Sequence, residues 1–92
     1  MTCRIDRTAT EEGLVVRISG RVGAEDLKVV RAALREGSVV AIELEEIELV
    51  DRDAVKLLAL KEANGIELRH CPAYIREWVT RERASGERRE PR

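Results

Sequence analysis

The sequence predicts a single small α/β domain with a mixed four-stranded β-sheet and about three helices, in the order β-β-α-β-α-β-α. The length of 92 residues suits one domain. Short runs rich in β-branched residues alternate with segments that have helical spacing. Residues 39–69 contain the clearest such unit: a strand, an acidic turn, a helix and a second strand. Two strands joined by a crossover helix usually lie parallel in one sheet, so the rest of the chain is organised around this central unit.

Charge and composition exclude several classes of protein. The 17 basic and 18 acidic residues nearly cancel, which argues against a nucleic-acid-binding protein of the usual basic kind. No apolar run approaches the ~20 residues of a membrane span, and no secretory signal pattern opens the chain. Two cysteines, Cys3 and Cys71, are too few for a disulfide framework. We therefore predict a cytoplasmic protein with reduced thiols, no membrane insertion and no nucleic-acid partner.

Two strands and a helix are predicted before the central unit. Residues 3–8 form a weakly patterned strand whose charges suggest the edge of a sheet. Residues 14–19 form a clear strand, and the short turn between the two predicts a hairpin. Residues 24–36 are predicted to be helical, because apolar residues at i, i+3 and i+7 form one stripe. That stripe consists of Leu27, Val30 and Leu34, and Ala33 widens it.

The apolar runs of the central unit predict its individual segments. The segments are a strand at residues 39–44, a second apolar patch at 47–50, a helix at 54–63 and a strand at 66–69. Asp51 and Asp53 are both good N-cap residues for this helix. Its predicted buried face consists of Ala54, Val55, Leu58 and Ala59. Leu57 and Leu60 lie beside that face and are either peripheral core or exposed.

The last predicted element is a helix at residues 72–83. Its apolar face consists of Tyr74, Ile75, Trp78 and Val79. We expect this helix to pack on the sheet, with its two aliphatic residues buried and its tryptophan at least partly buried. Residues 84–92 are highly charged and are predicted to be a disordered tail, so the domain is expected to span residues 1–83.

The central unit also carries a pattern found in a known family. An apolar strand with one acid is followed by an apolar–x–apolar–apolar–Asp turn, a leucine-rich helix and a glycine. The residues in this pattern are Ile42, Glu43, Leu44, Ile47, Leu49, Val50, Asp51, Ala54, Val55, Leu57, Leu58 and residues 65–68. The pattern resembles the STAS domain, a family that includes bacterial anti-sigma-factor antagonists and the cytoplasmic ends of sulfate transporters. Residues 14–22 also resemble the second strand of that family and the turn after it. The resemblance implies a non-enzymatic, regulatory domain that binds another protein.

The chain departs from this family at its C-terminal end. STAS domains usually continue with a further strand and a last helix, whereas here only the charged tail follows residue 83. We therefore expect a shortened domain. Either a sheet edge is left uncovered, through which the chain can self-associate, or a partner completes it.

The resemblance also points to a site at the start of the central helix. In regulatory STAS domains a Ser or Thr there is phosphorylated. Aligned on Asp51, that place falls at Asp53, which carries a fixed negative charge where phosphate would add ~1.5–2 charges. The alternative is that these aspartates only cap the helix. The implied partner surface consists of Asp51, Arg52, Asp53, Lys56, Leu57 and Leu60.

The resemblance implies partners such as an anti-sigma switch-protein kinase. The alternative function is that of a small structural STAS subunit in a larger assembly, such as a lipid-transport ABC complex. Gene neighbourhood would separate the two functions: genes for a sigma factor and a kinase favour the first, and genes for an ATPase and a permease favour the second.

Two pairs of residues have types that also occur in catalytic or metal sites. Asp51 and Asp53 can form a general acid–base pair or part of a hard-metal site, but helix capping is far commoner. His70 and Cys71 can bind a metal, but a structural zinc needs about four ligands and only Cys3 is left to recruit. Nucleophilic catalysis would need a base oriented by a third group. We therefore predict no enzymatic activity, no metal and no cofactor.

Overall fold

Five strands and three α-helices form the part of the chain that the computed structural model describes, residues 3–35 and 38–88. In chain order these are β1 (Cys3–Ala9), β2 (Leu14–Val22), a short 3-10 helix (Ala24–Asp26), α1 (Leu27–Leu34), β3 (Val39–Glu43), β4 (Ile47–Val50), α2 (Arg52–Ala63), β5 (Glu67–Arg69) and α3 (Ala73–Arg88). The predicted α/β class with a mixed sheet is confirmed. The sheet has five strands where the sequence predicts four, and the additional strand is β4.

β2 is the central strand and pairs with three others. On one side β1 is antiparallel to β2. On the other side β3 runs parallel to the first half of β2, and β4 runs parallel to its last residues. β5 is parallel to β3. The predictions of an antiparallel first pair and of a parallel pair within the central unit are both confirmed.

β4 is reached through a tight turn that returns the chain to β2. In this turn the N–H of Ile47 donates to the carbonyl of Leu44 at 3.2 Å. β4 then pairs with Gly20, Arg21 and Val22 of β2. The sequence shows the apolar patch of β4 but not its pairing partner, because it predicts the end of β2 before these three residues.

One face of the sheet and the inward sides of the three helices form a single aliphatic core. Its largest fully buried side chains are Val16, Ile18, Ile42, Leu44, Val55, Ile75 and Val79. α1 buries the whole predicted stripe, including Ala33. This α-helix begins at Leu27 rather than at residue 24, since a 3-10 helix precedes it, and Glu36 lies outside the described residues.

α2 is buried both toward the sheet and toward α3. The buried face predicted for it is confirmed, and Leu57 is buried as well. Leu57 is only 6% exposed and lies beside Val22 and Val30, so it is part of the core. Gly65 follows the helix with a φ of +101°, a left-handed conformation that favours glycine, and ends α2 as the sequence predicts.

α3 packs mainly against α2, which corrects the expectation that it packs directly on the sheet. Ile75 and Val79 are fully buried, and Trp78 is partly buried against the core, as predicted. Tyr74 is different, since it is 49% exposed and its hydroxyl donates to the carbonyl of Glu48 on β4. The core therefore needs only one of the two aromatic residues on this helix.

An arginine pair on α3 binds one glutamate of α2. Glu62 accepts two hydrogen bonds from Arg76, at 2.8 and 2.7 Å, and one from Arg83 at 3.2 Å. The bonds from Arg76 hold the pKa of Glu62 below its ordinary value, although partial burial acts in the opposite direction. The same hydrogen bonds raise the pKa of Arg76. Both groups are therefore charged at neutral pH and form an ion pair between the two helices.

The last helix is longer than the sequence predicts. α3 continues to Arg88, so residues 84–88, predicted to be part of a disordered tail, are helical. Residues 89–92 of that tail lie outside the described residues. Within the described part of the chain, no helix combines the length and the apolar character needed to cross a membrane.

Candidate functional site

The start of α2 is fixed by Asp51, which stands between β4 and the helix. Its Oδ1 accepts a hydrogen bond from the N–H of Ala54 at 2.9 Å, so Asp51 is the N-cap. Its own N–H donates to the carbonyl of Val22 at 3.2 Å, which ties the cap to the end of β2. The sequence offers Asp51 and Asp53 as caps, and the structure assigns the role to Asp51.

Four of the predicted contact residues are exposed along α2. They are Arg52, Asp53, Lys56 and Leu60, which we call the α2 stripe. Positions 52, 56 and 60 follow one another at intervals of four, so they share one side of the helix. Leu60 is 56% exposed. Leu57, which the sequence includes in the partner surface, is buried in the core and does not belong to this stripe.

Asp53 places a negative charge in the first turn of α2, where the resemblance locates a phosphorylated residue. Its side chain is exposed and is not the N-cap. A carboxylate at this end of a helix is favoured by the helix dipole, by about 0.3–1 kcal/mol. Residues 39–79 contain no serine or threonine. The negative charge at this position therefore belongs to the side chain itself and not to a phosphate group.

A shallow cavity of about 380 Å³ adjoins the start of α2 where β2 and β4 end. It is lined by Arg21, Val22, Gly23, Glu25, Asp26, Leu49, Val50 and Asp51. Leu49 is 52% exposed at this cavity. Asp26 is buried and accepts a hydrogen bond from the N–H of Gly23 at 3.0 Å, so its carboxylate is held in place. The lining thus combines carboxylates and a guanidinium with an exposed leucine, a mixture that suits contact with another chain.

A second polar group, which the sequence does not indicate, lies where β3 and β5 end. His70 Nδ1 and Glu43 Oε2 are 2.6 Å apart, and one ligand atom each from Glu43, Glu45 and His70 lie within 4.8 Å of one another. The sequence pairs His70 with Cys71 as possible metal ligands. In the structure, the group that could hold a metal ion consists of His70, Glu43 and Glu45. The parallel pairing of β3 and β5 brings these residues together, although they are distant in the sequence.

Cys3 and Cys71 are free, partly buried thiols. Burial raises the pKa of Cys3, and the charge of Asp26 raises it further. Burial also raises the pKa of Cys71, although the charge of Arg76 acts against it. A raised pKa keeps a thiol protonated at neutral pH, whereas reactive cysteines have a lowered pKa. The environments of both residues therefore suit structural thiols.

No family model matches the chain, and a search of curated proteins finds no match either. The resemblance to STAS domains, which is based on residues 14–22 and on the central unit, therefore stays a prediction from the sequence.

Proposed function

We propose that this chain is a STAS-like, non-enzymatic domain that binds another protein through the α2 stripe. The observation that carries the proposal is the exposure of Leu60, at 56%, on a helix whose other large apolar side chains are buried. A second exposed leucine, Leu49, stands at the cavity beside the start of the same helix. Protein interfaces place apolar anchors among polar and charged neighbours, and the α2 stripe has this composition.

The rigidity of the helix start supports the same proposal. Asp51 caps α2 and is bonded to the end of β2, so the backbone that carries Arg52 and Asp53 is already ordered before a partner arrives. A pre-ordered surface loses less conformational entropy on binding than a mobile loop. Arg52 and Lys56 add positive charge and Asp53 adds negative charge, which favours a partner with complementary charges of both signs.

The resemblance suggests which class of partner this surface binds. We expect an anti-sigma switch-protein kinase or a protein of that type in the cytoplasm, where free Cys3 and Cys71 remain reduced. Asp53 supplies a constant negative charge in place of a regulated phosphate. The domain is thus expected to bind its partner in one fixed charge state.

Affinity purification with the full chain, followed by a binding measurement with the purified partner, tests the proposal. Leu60→Asp should weaken binding at least about tenfold, because it puts an unpaired charge at the apolar anchor. Val29→Asp is the matched control, since Val29 is an equally exposed aliphatic residue, 57%, on α1. This control should bind like the parent.

If the two variants show the opposite effects on binding, the interface does not lie at the α2 stripe. If Leu60→Asp binds like the parent and Val29→Asp weakens binding, the partner contacts α1 and the proposal is wrong. Recovery of an ATPase and a permease as stoichiometric partners would favour the structural-subunit alternative.

A further inference from the structure

Three potential metal ligands converge outside the α2 stripe. Glu43 is the last residue of β3, Glu45 lies in the turn before β4, and His70 directly follows β5. His70 Nδ1 lies 2.6 Å from Glu43 Oε2, and the ligand atoms of all three side chains are within 4.8 Å of one another. The set thus offers one imidazole nitrogen and two carboxylate oxygens around one point.

The backbone holds these residues together. Glu43 pairs with Arg69 across the parallel strands, and the N–H of Leu44 donates to the carbonyl of Arg69 at 2.9 Å. His70 has a φ of +52°, so the chain turns immediately after β5. Two of the three ligands therefore stand at paired strand ends, where little backbone motion is needed to keep them close.

Burial and charge make Glu43 the centre of the group. Its side chain is only 14% exposed, while that of His70 is 65% exposed. A mostly buried carboxylate is stabilised by a nearby positive charge. Arg17 and Arg69 occupy the register positions beside Glu43 on the neighbouring strands, and the Arg69 side chain is bonded to Glu67 at 3.0 Å. A cation held between Glu43 and its two ligand neighbours would supply that charge directly.

We propose that Glu43, Glu45 and His70 bind a divalent first-row transition-metal ion, for which zinc is the representative. Zinc accepts imidazole nitrogen and carboxylate oxygen at about 2.0–2.2 Å, so tetrahedral ligand atoms lie about 3.4 Å apart. The three ligand atoms lie within 4.8 Å of one another, so this spacing needs the His70–Glu43 contact to widen from 2.6 Å to about 3.4 Å, a change that the exposed His70 side chain can make by rotating. Three protein ligands leave the fourth position for water or for a group from another molecule.

The ligand types also set the selectivity. Calcium takes six to eight oxygen ligands, and magnesium requires near-octahedral oxygen coordination. Imidazole is a ligand for zinc, copper, iron and nickel. Zinc is therefore expected to bind in the presence of excess magnesium or calcium.

Calorimetric titration of the full chain with zinc chloride, in a non-coordinating buffer, tests the site. We expect one zinc ion per chain. Glu45→Gln and His70→Ala should each weaken binding at least about tenfold, since each removes one ligand. Glu45 is exposed, so its substitution leaves the fold intact, and circular dichroism checks this for both variants. With cobalt in place of zinc, no sulfur-to-metal charge-transfer band should appear.

Matched controls separate this site from other sources of binding. Glu46→Gln removes an exposed carboxylate next to the group and should keep the parent affinity. Cys71→Ser and Cys3→Ser should also keep it. The proposal is overturned if zinc binds no more tightly than about 1 mM, if Glu45→Gln and His70→Ala bind like the parent, or if the serine variants lose binding.

Discussion

Glu62 on α2 and Arg76 on α3 are joined by two hydrogen bonds of 2.7 and 2.8 Å between carboxylate and guanidinium. A bidentate pair of this kind fixes the relative orientation of the two side chains as well as the distance between them. Because α3 packs mainly against α2, this contact sets how the last helix lies on the domain. The Glu62 side chain is 19% exposed, so water screens the pair only in part.

Glu62→Gln should lower the free energy of unfolding at pH 7 by about 1–2 kcal/mol, because it removes the charge that Arg76 binds. Arg76 holds the pKa of Glu62 below its ordinary value. The stabilisation is therefore complete above that ordinary value and is lost as the pH falls through the lowered one. The difference between parent and variant should shrink below about pH 4. Urea denaturation at several pH values, followed by tryptophan fluorescence, measures this.

The control for this prediction is Glu77→Gln. Glu77 pairs with Arg81 at 3.2 Å, but both side chains are about seven-tenths exposed. This exposed pair should contribute less than about 0.5 kcal/mol. If the Glu62 and Glu77 variants lose equal stability at pH 7, the contact between the helices has no special role.

Asp51→Ala should lower the free energy of unfolding by about 1 kcal/mol, since it removes the side-chain acceptor for the N–H of Ala54. Asp53→Ala should lower it by only about 0.3–0.5 kcal/mol, the low end of the helix-dipole range, because Asp53 is exposed and is not the cap. Asp51→Asn keeps a capping oxygen and should be close to the parent. Thermal and urea denaturation of the three variants measure the difference, and equal losses for both alanine variants would contradict the assignment of the cap.

Trp78→Ala should lower the free energy of unfolding by about 2 kcal/mol. Removal of a fully buried aromatic ring costs about 3–5 kcal/mol, and Trp78 is only partly buried against the core. The native fluorescence of Trp78 should be blue-shifted relative to the unfolded chain. Tyr74→Phe, which removes only the hydrogen bond to the Glu48 carbonyl, should cost at most about 1 kcal/mol. A Trp78→Ala variant as stable as the parent would show that the ring does not pack on the core.

Incubation with switch-protein kinases should leave the central unit unmodified, because Asp53 stands where the resemblance to STAS domains places the phosphorylated residue and residues 39–79 contain no serine or threonine. Intact-mass measurement and peptide mapping detect any added phosphate. Asp53→Ser introduces a hydroxyl at that position, and under the proposed STAS-like function this variant should become a substrate. A phosphate mapped to residues 50–60 of the parent would refute the prediction.

Much of the fold could be predicted because its signals are local. The β-branched run of β3, the apolar stripe of α1 and Gly65 after α2 each depend on neighbouring residues, and each has its predicted role. β4 could not be recognised in the same way. It has four residues, of which only Ile47 is buried, and it is a strand because the end of β2 lies beside it. That pairing is a tertiary fact, which local propensity does not contain.

In the candidate site, too, some features follow from local sequence and others depend on tertiary contacts. Exposure of Arg52, Asp53 and Lys56 follows from charge, whereas the burial of Leu57 depends on how α1 and the sheet approach α2. Asp51 and Asp53 are equivalent caps in sequence, and only the helix geometry separates them. The glutamates that join His70 lie at least twenty-five positions before it, so no sequence spacing reveals the group.

The pairing of β2 with three strands has a consequence for how the molecule opens. Strand β2 is bonded along both sides, so its amides become accessible only when the sheet separates as a whole. β5 has three residues and pairs through β3, so it can detach in a smaller local opening. In heavy water, deuterium uptake should therefore begin early in β5, whereas the amides of Val16 and Ile18 should exchange last.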